Sequence, residues 1–168
     1  MNPHAHTAQS IPCVACAVLT VSDTRSHETD VGGALIRELL AQSGHAVFES
    51  AVVRDETEAI AAHVRRWCTG PACRTVLITG GTGLAPRDTT FEALTPLFER
   101  TLDGFGELFR ALSFQEIGPA AMLSRAIAGV SCRTAIFAMP GSPGGVRLAM
   151  DRLVLPTLGH LAWILDKT

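Results

Sequence analysis

Lysine is almost absent from this chain. Lys167 is its only lysine, and the remaining 13 basic residues are arginines. A P-loop requires a Gly-Lys-Ser or Gly-Lys-Thr sequence, and the chain has neither. A catalytic Schiff-base lysine is excluded for the same reason. Any phosphate must therefore be bound by backbone N–H groups, by arginine and by metal.

Composition excludes further classes of protein. The length of 168 residues suits one domain, and 47% hydrophobic residues are enough to fill one core. A net charge of −2 predicts no nucleic-acid partner, and no apolar run reaches the ~18–20 residues that span a bilayer. The polar start lacks the features of a signal peptide. We expect a cytoplasmic protein with a flexible tail over residues 1–12 and a single domain over 13–168.

The five cysteines do not predict a metal centre. Cys13 and Cys16 have the spacing of a redox motif, but they begin an apparent strand, where positions three apart face opposite ways. A second pair with zinc spacing is missing. We interpret the cysteines as buried or incidental thiols in a reducing compartment.

Predicted strands and helices alternate along the chain. Apolar β-branched runs predict strands at 14–21, 46–53, 75–79 and 134–139. Helical spacing of apolar residues predicts helices at 30–43, 57–68, 90–100, 105–112, 119–128 and 145–166. Asp30 is the expected N-cap of the first helix, and Gly44 ends it. The alternation predicts an α/β fold with three layers, α/β/α, and a mainly parallel sheet.

A glycine-rich loop follows the third predicted strand. Its residues are Thr79, Gly80, Gly81, Thr82 and Gly83. Glycine permits positive φ and a close approach of the backbone to a ligand, and successive N–H groups form an anion cradle. The alternative is a tight turn between a strand and a helix, which is the usual role of an isolated Gly-Gly pair.

Three further features favour ligand binding over a simple turn, the first of which is the pair of threonines in the loop. Arg87 and Asp88 follow the loop, adding a planar set of donors and an oxygen ligand for Mg²⁺. A second turn, Pro140, Gly141 and Ser142, follows the last predicted strand. Two such turns at the ends of parallel strands predict one crevice at the carboxyl edge of the sheet.

Three aspartates are expected at the same edge. Asp23 and Asp55 follow the first and second strands, and Asp88 follows the glycine loop. Carboxylate oxygens suit Mg²⁺, which binds together with substrate phosphates. Each aspartate also has an ordinary structural alternative. In these alternatives, Asp55 or Thr57 caps the second helix, Asp23 forms an Asx turn, and Asp88 caps the next helix.

Taken together, these motifs resemble the molybdenum cofactor biosynthesis proteins of the MogA/MoaB type. The similarity covers about 14–165. The segments that carry it are 20–24, 53–56, 79–88 and 139–143, with further matches at 104–107, 112–118 and 122–126. The 114–118 and 138–143 segments are closer to the MoaB branch.

The resemblance implies an α/β domain that binds molybdopterin. Catalytic members transfer AMP from ATP to molybdopterin with Mg²⁺ and release pyrophosphate. Asp55 and Asp88 match the family's two functional aspartates, which implies metal binding and placement of the phosphates. The ligand-binding positions that the resemblance assigns are Ser22, Asp23, Thr79, Gly80, Gly81, Thr82, Gly83, Arg87, Ser113, Pro140, Gly141 and Ser142.

The resemblance leaves two functions open, because some MoaB-branch members lack adenylyl transfer. One is the Mg²⁺-dependent transferase, and the other is a non-catalytic molybdopterin carrier. A third hypothesis is an unrelated nucleotide-binding α/β regulator. The branch also implies a homo-oligomer, a trimer or hexamer, and other pathway proteins as partners.

Overall fold

A six-stranded sheet forms the middle layer of the protein. The structure, a computed structural model, describes residues 9–167. The strands are β1 (Ala15–Val21), β2 (Ala46–Val53), β3 (Thr75–Thr79), β4 (Arg100–Thr101), β5 (Ile127–Ser131) and β6 (Thr134–Met139). Their order is β2-β1-β3-β6-β5-β4, and β5 alone runs opposite to the other five strands of this sheet. The predicted mainly parallel sheet is confirmed.

Helices cover both faces of the sheet. They are α1 (Val31–Gln42), α2 (Thr57–Thr69), α3 (Thr90–Leu94), α4 (Asp103–Ile117), α5 (Pro143–Ala149) and α6 (Leu155–Asp166). Short 3₁₀ turns at Thr95–Leu97 and Gly118–Leu123 and a π-helical turn at Met150–Val154 complete the described elements. The three-layer α/β/α arrangement is confirmed.

Strand alternation divides the core into two parts. Side chains of a strand point to opposite faces in turn, so Cys16 and Val18 of β1 pack with α1, α4, α5 and α6. Ala17 and Leu19 of the same strand face the other way and pack with Trp67 of α2. Because β1 is buried on both faces, it is apolar except at Thr20, which agrees with the buried strand that the sequence predicted.

The first helix begins and ends as predicted. The Asp30 carboxylate accepts a 2.8 Å hydrogen bond from the N–H of Gly33, which satisfies one of the unpaired donors of the first turn. Gly44 follows the helix with φ of +78°, a conformation that glycine adopts without strain. Between these ends, Ile36 and Leu40 are fully buried against the sheet.

Two helix predictions are wrong over part of their length. The helix predicted at 90–100 ends at Leu94 and continues as a 3₁₀ turn that contains Pro96, because proline has no N–H for a helical hydrogen bond. The chain then forms the short edge strand β4. The helix predicted at 119–128 is a 3₁₀ turn followed by β5, which pairs with β6 in an antiparallel hairpin.

The other differences concern helix boundaries. The helix predicted at 105–112 spans Asp103–Ile117, and its C-cap is Gly118, with φ of +63°. The helix predicted at 145–166 begins earlier, at Pro143. It is interrupted by the π turn at Met150–Val154, which precedes Pro156.

Residues 9–11 lie against α6. The N–H of Ile11 donates to the carbonyl of Gly159 over 3.0 Å, and a Cβ at Gly159 would come within 2.2 Å of the Ser10 hydroxyl. Residues 1–8 of the predicted tail lie outside the described residues, so the boundary after residue 12 stays a prediction.

The closing helical segment Pro143–Asp166 meets the length and composition criteria of a membrane span, with 44% of its most apolar window buried. A core helix meets the same criteria, and Leu158 and Ala162 of this segment lie in the core.

Candidate functional site

The carboxyl ends of β1, β2, β3 and β6 meet at one edge of the sheet, and the predicted site residues follow these ends. Backbone hydrogen bonds join the ends directly. The N–H of Ser22 donates to Val53 over 2.8 Å, and that of Gly80 donates to Met139 over 3.1 Å. The loops that the sequence placed on one crevice are therefore neighbours.

Glycine is required in the loop after β3 because its backbone is left-handed and crowded. Gly80 and Gly81 have φ of +100° and +63°. A Cβ at Gly80 would lie 2.2 Å from the carbonyl oxygen of Val21, and one at Gly81 would lie 2.3 Å from the Thr90 hydroxyl. The hydroxyl of Thr79 donates to the Pro140 carbonyl over 3.0 Å, which links the two glycine turns.

Asp55 lies beside this loop with little solvent exposure. The residue is 7% exposed, and its Oδ1 accepts hydrogen bonds of 2.8 Å from both the N–H and the hydroxyl of Thr89. A Cβ at Gly81 would lie 2.7 Å from its Oδ2. The alternative that Asp55 or Thr57 caps α2 is wrong, because Glu56 occupies the N-cap position without a side-chain hydrogen bond.

Asp23 connects three loops. Its Oδ1 accepts a 3.2 Å hydrogen bond from the N–H of Asp55, and both its oxygens accept bonds of 2.7–3.0 Å from the guanidinium of Arg87. The hydrogen bonds from Arg87 lower the pKa of Asp23, and those to Asp23 raise the pKa of Arg87. The pair is exposed to solvent, so it contributes little to stability but fixes the orientation of both side chains.

Asp88 closes the end of the glycine-rich segment. Its Oδ2 accepts a 2.8 Å hydrogen bond from the N–H of Ala85, and its own N–H donates to the carbonyl of Ala85 over 2.8 Å. A Cβ at Gly83 would lie 2.6 Å from the same Oδ2. The alternative that Asp88 caps the next helix is wrong, since the N-cap of α3 is Thr89.

Three adjoining cavities form a crevice along this edge. A cavity of about 250 Å³ lies between the glycine loop, Asp88 and Gly141. A cavity of about 180 Å³ adjoins it through Gly80 and Gly141 and is lined by Thr20, Ser22 and the start of α1. On the other side, a cavity of about 260 Å³ adjoins it through Ser124 and Pro140.

The predicted serines occupy different parts of the crevice. Ser113 of α4 is buried and lines the 260 Å³ cavity together with Ser142, away from the glycine loop. The hydroxyl of Ser142 accepts a 3.2 Å bond from the N–H of Gly145 and so caps α5. The hydroxyl of Ser22 accepts bonds from the two N–H groups of Thr24 and Arg25 and shapes the turn after β1.

Sequence reasoning missed several residues of the site. Thr89 binds Asp55, and the hydroxyl of Thr90 donates to the Gly80 carbonyl over 2.9 Å. The hydroxyl of Thr20, which is 6% exposed, has no hydrogen-bond partner within residues 9–167. Arg125, which lies within the helix predicted at 119–128, binds the glycine-rich segment. For these residues the sequence offers one indication of a role in the site: Thr89 and Thr90 directly follow Arg87 and Asp88.

The donor set fits a magnesium ion that binds together with a substrate. Hydrogen bonds from the described residues reach Oδ1 of Asp55 and Oδ2 of Asp88, which leaves one oxygen of each carboxylate for a cation. Among residues 9–167, no group of three or more His, Cys, Asp or Glu side chains forms a metal site. Mg²⁺ is commonly held by one or two carboxylates and completed by phosphates.

Comparison with known protein families gives one match over most of the chain. Residues 17–160 match the family described as "Probable molybdopterin binding domain". The chain is also 49% identical over 166 residues to molybdenum cofactor biosynthesis protein B of Halalkalibacterium halodurans, covering 96% of this chain and 95% of that protein.

Solved structures give the same result. A crystal structure of a molybdenum cofactor biosynthesis protein B superposes with a TM-score of 0.92 at 46% identity, covering 95% of this chain and 100% of the other. The molybdopterin biosynthesis enzyme MoaB of Thermus thermophilus superposes with a TM-score of 0.82 at 38% identity, covering 92% and 98%.

Proposed function

Because the chain belongs to the family of probable molybdopterin binding domains and its relatives are molybdenum cofactor biosynthesis proteins, we propose that it transfers AMP from ATP to molybdopterin. The acceptor is the terminal phosphate of the pterin, and pyrophosphate is released. The participation of the chain in molybdenum cofactor biosynthesis is the premise, and the adenylyl transfer is the proposal.

One observation carries the proposal: two carboxylates approach the glycine loop at neighbouring positions. Built Cβ positions at Gly81 and Gly83 lie 2.7 Å from Oδ2 of Asp55 and 2.6 Å from Oδ2 of Asp88. A phosphate bound by the N–H groups of this loop would therefore lie next to both carboxylates. Two carboxylates repel a phosphate unless a cation lies between them, so the arrangement favours a metal–nucleotide substrate.

The proposed reaction needs no protein nucleophile. An oxygen of the pterin phosphate attacks the α-phosphorus of ATP and forms a new P–O bond. The bond from the α-phosphorus to the oxygen that bridges to the β-phosphorus breaks, and pyrophosphate leaves with that electron pair. The protein holds both phosphates in line and excludes competing water. This role agrees with a chain that lacks a P-loop lysine.

Asp55 and Asp88 are the residues that would hold Mg²⁺, each through the oxygen that is not used in hydrogen bonds from the described residues. When bound, the cation supplies charge neutralisation at the phosphates. Thr89 fixes the direction of the Asp55 carboxylate, and the N–H of Ala85 fixes that of Asp88. Both carboxylates are therefore oriented before a substrate binds, which lowers the cost of reorganisation.

The order of the cavities suggests how the substrates lie. Ser113 lines the cavity on one side of the glycine loop, and the family resemblance assigns this serine to the pterin. Adenosine stays attached to the transferred phosphorus while pyrophosphate leaves. The cavity lined by Thr20 and Gly32, which adjoins the glycine loop on its other side, is the proposed place of the adenosine. Thr20 lines this cavity, and its hydroxyl has no hydrogen-bond partner within residues 9–167.

The alternative is a carrier that binds molybdopterin without productive use of ATP. One observation favours it: the Arg87 guanidinium is already paired with Asp23 and is not directed to a phosphate. Because Arg87 is paired with Asp23, adenylyl transfer requires Arg87 either to exchange partners or to play no direct part in phosphate binding.

Single-turnover adenylylation tests the proposal. Purified protein, molybdopterin, ATP and Mg²⁺ are mixed, and adenylylated pterin and pyrophosphate are quantified. We expect both products from the unmodified chain and their loss in Asp55→Asn and Asp88→Asn. The matched control is Asp151→Asn, because Asp151 is an exposed carboxylate on the closing helical segment. Pterin binding without product in the unmodified chain would support the carrier.

The remaining expectations belong to the same proposal: a cytoplasmic protein that acts as a homo-oligomer, a trimer or hexamer, beside other proteins of the pathway. Exposed apolar side chains at the end of α4 and in the turn after it offer a surface for assembly. They are Phe114, Ile117, Met122 and Leu123. Light scattering after size-exclusion chromatography measures the mass, and a monomer would contradict this part.

A further inference from the structure

Arg125 reaches from the segment before β5 to the glycine-rich segment after β3. Its Nε donates to the carbonyl of Gly83 and its Nη2 donates to the carbonyl of Asp88, both over 2.7 Å. Its backbone N–H donates to the carbonyl of Thr82 over 2.9 Å. One residue therefore binds three backbone carbonyls of the segment that carries Asp88.

These carbonyls lie at the two ends of a small closed loop, residues 83–88. Within the loop, Ala85 and Asp88 exchange two hydrogen bonds of 2.8 Å, one of them to the Asp88 carboxylate. The internal bonds fix the shape of the loop but not its position on the protein. Arg125 ties both ends to the β5 side of the crevice, which does fix its position.

The guanidinium is itself held in place from two further sides. Its Nη1 donates to a carboxylate oxygen of Glu92 on α3, and its central carbon lies 5.4 Å from the centre of the Phe91 ring. The hydrogen bond from Arg125 lowers the pKa of Glu92. A planar group with five donors can serve two carbonyls and a carboxylate at fixed angles, whereas a lysine ammonium cannot match this geometry.

We propose that Arg125 is a positioning residue that holds the 83–88 loop, and with it the Asp88 carboxylate, in the orientation required for the reaction. The residue contacts backbone carbonyls and Glu92, so it acts through Asp88. Its importance for turnover rests on the adenylyl transfer proposed above, but its effect on the loop does not.

Amide hydrogen–deuterium exchange of the loop is the first measurement. In Arg125→Ala, we expect faster exchange in peptides that cover 83–88, with no change in peptides from β1 or α2. The matched control is Arg110→Ala. Arg110 donates to the carbonyls of Ser124 and Ala126, so it binds the same segment as Arg125 without contacting the loop. Loop exchange should remain unchanged in this control.

Turnover and chemical rescue are the second measurement. We expect Arg125→Ala to lower kcat by about 10–100-fold, because small displacements of a catalytic group cost this much. Millimolar guanidinium chloride should restore part of the rate, while sodium chloride at the same ionic strength should not. Arg125→Lys should remain slow, because one ammonium cannot bind both ends of the loop.

The outcomes are distinguishable. Unchanged loop exchange in Arg125→Ala, or equal changes in Arg110→Ala, would overturn the proposal whatever the chain catalyses. Faster loop exchange in a chain that makes no adenylylated pterin would support the positioning role and refute the transferase.

If Arg125→Ala does not fold, Glu92→Gln replaces it. This variant keeps the guanidinium and removes one of its supports, so a smaller increase in loop exchange is expected, and no increase would count against the proposal.

Discussion

Thr89 donates two hydrogen bonds to one carboxylate oxygen of Asp55, from its backbone N–H and from its hydroxyl, each 2.8 Å long. The end of β2 is thereby tied to the residue that follows Asp88. The second oxygen, Oδ2, remains on the side of Gly81. This relationship orients a carboxylate that is almost fully buried, and it connects the two aspartates of the proposed site through adjacent residues.

Replacing Thr89 with valine removes the hydroxyl and keeps the backbone hydrogen bond. A hydrogen bond to a charged group contributes about 1.5–3 kcal/mol, so we expect kcat/KM for adenylylation to fall by roughly 10-fold or more. Steady-state kinetics with varied ATP measures the effect. The control is Thr95→Val, because within residues 9–167 the Thr95 hydroxyl donates only to the Phe91 carbonyl in its own helical turn. Equal activity in the two variants would show that the hydroxyl does not orient Asp55.

An alanine at Gly81 should damage both the fold and the site. Gly81 has φ of +63°, and its added Cβ would meet the Thr90 hydroxyl at 2.3 Å and Oδ2 of Asp55 at 2.7 Å. The left-handed conformation alone costs roughly 1–2 kcal/mol for a residue with a side chain. Urea unfolding should show at least this loss, together with weaker nucleotide binding.

Gly104→Ala is the matched control for this loop substitution. Its added Cβ has no neighbour within 4 Å among the described residues, and Gly104 lies in the first turn of α4. Stability should be unchanged or slightly higher, because alanine favours helix. Equal stability of the two variants would contradict the crowding at Gly81.

Thr20→Val should separate stability from nucleotide binding. The Thr20 hydroxyl is buried without a partner in the described part of the chain. Since an unsatisfied buried hydroxyl costs about 1–3 kcal/mol, its removal should raise the free energy of unfolding. If this hydroxyl binds adenosine, the KM for ATP should rise while the KM for molybdopterin stays constant.

Thr75→Val provides the comparison, because Thr75 is also buried with an unpartnered hydroxyl but lies at the opposite end of the strands. It should gain stability without any change in the KM for ATP. An unchanged KM for ATP in Thr20→Val would contradict the proposed placement of adenosine in the cavity beside α1.

His45 should make stability depend on pH. Its Nδ1 accepts a 3.2 Å hydrogen bond from the N–H of Val14, which requires the neutral ring, and burial lowers its pKa below 6.5. The unfolded chain therefore binds the proton first, so the stabilisation is present above pH 6.5 and is lost as the pH falls through the lowered pKa. Urea unfolding between about pH 7.5 and pH 5 should show a shallower pH dependence in His45→Gln. Identical pH profiles would refute this role.

The hairpin between β5 and β6 explains one failure of sequence-based prediction. Two-residue hairpin turns usually contain Asn-Gly or a similar pair, because both central residues need positive φ. Here Cys132 and Arg133 adopt φ of +48° and +64° without glycine. The sequence carries no such turn signal at 132–133, and the spacing of residues 119–128 favours a helix. Ile127 pairs with Ala138 and Ser131 with Thr134, so antiparallel pairing within this hairpin decides the strand.

The sequence by itself determined the parallel strands, the two glycine turns and the alignment of Asp23, Asp55 and Asp88 on one edge. Strand and helix periodicity is local, and the ends of parallel strands meet wherever such a sheet forms. Only the tertiary structure decided which groups orient the aspartates. Thr89 and Arg125 are ordinary residues in their local patterns, and their roles arise from bonds to residues 34 and 42 positions away. Such partners are chosen by packing of the whole domain, which no local pattern contains.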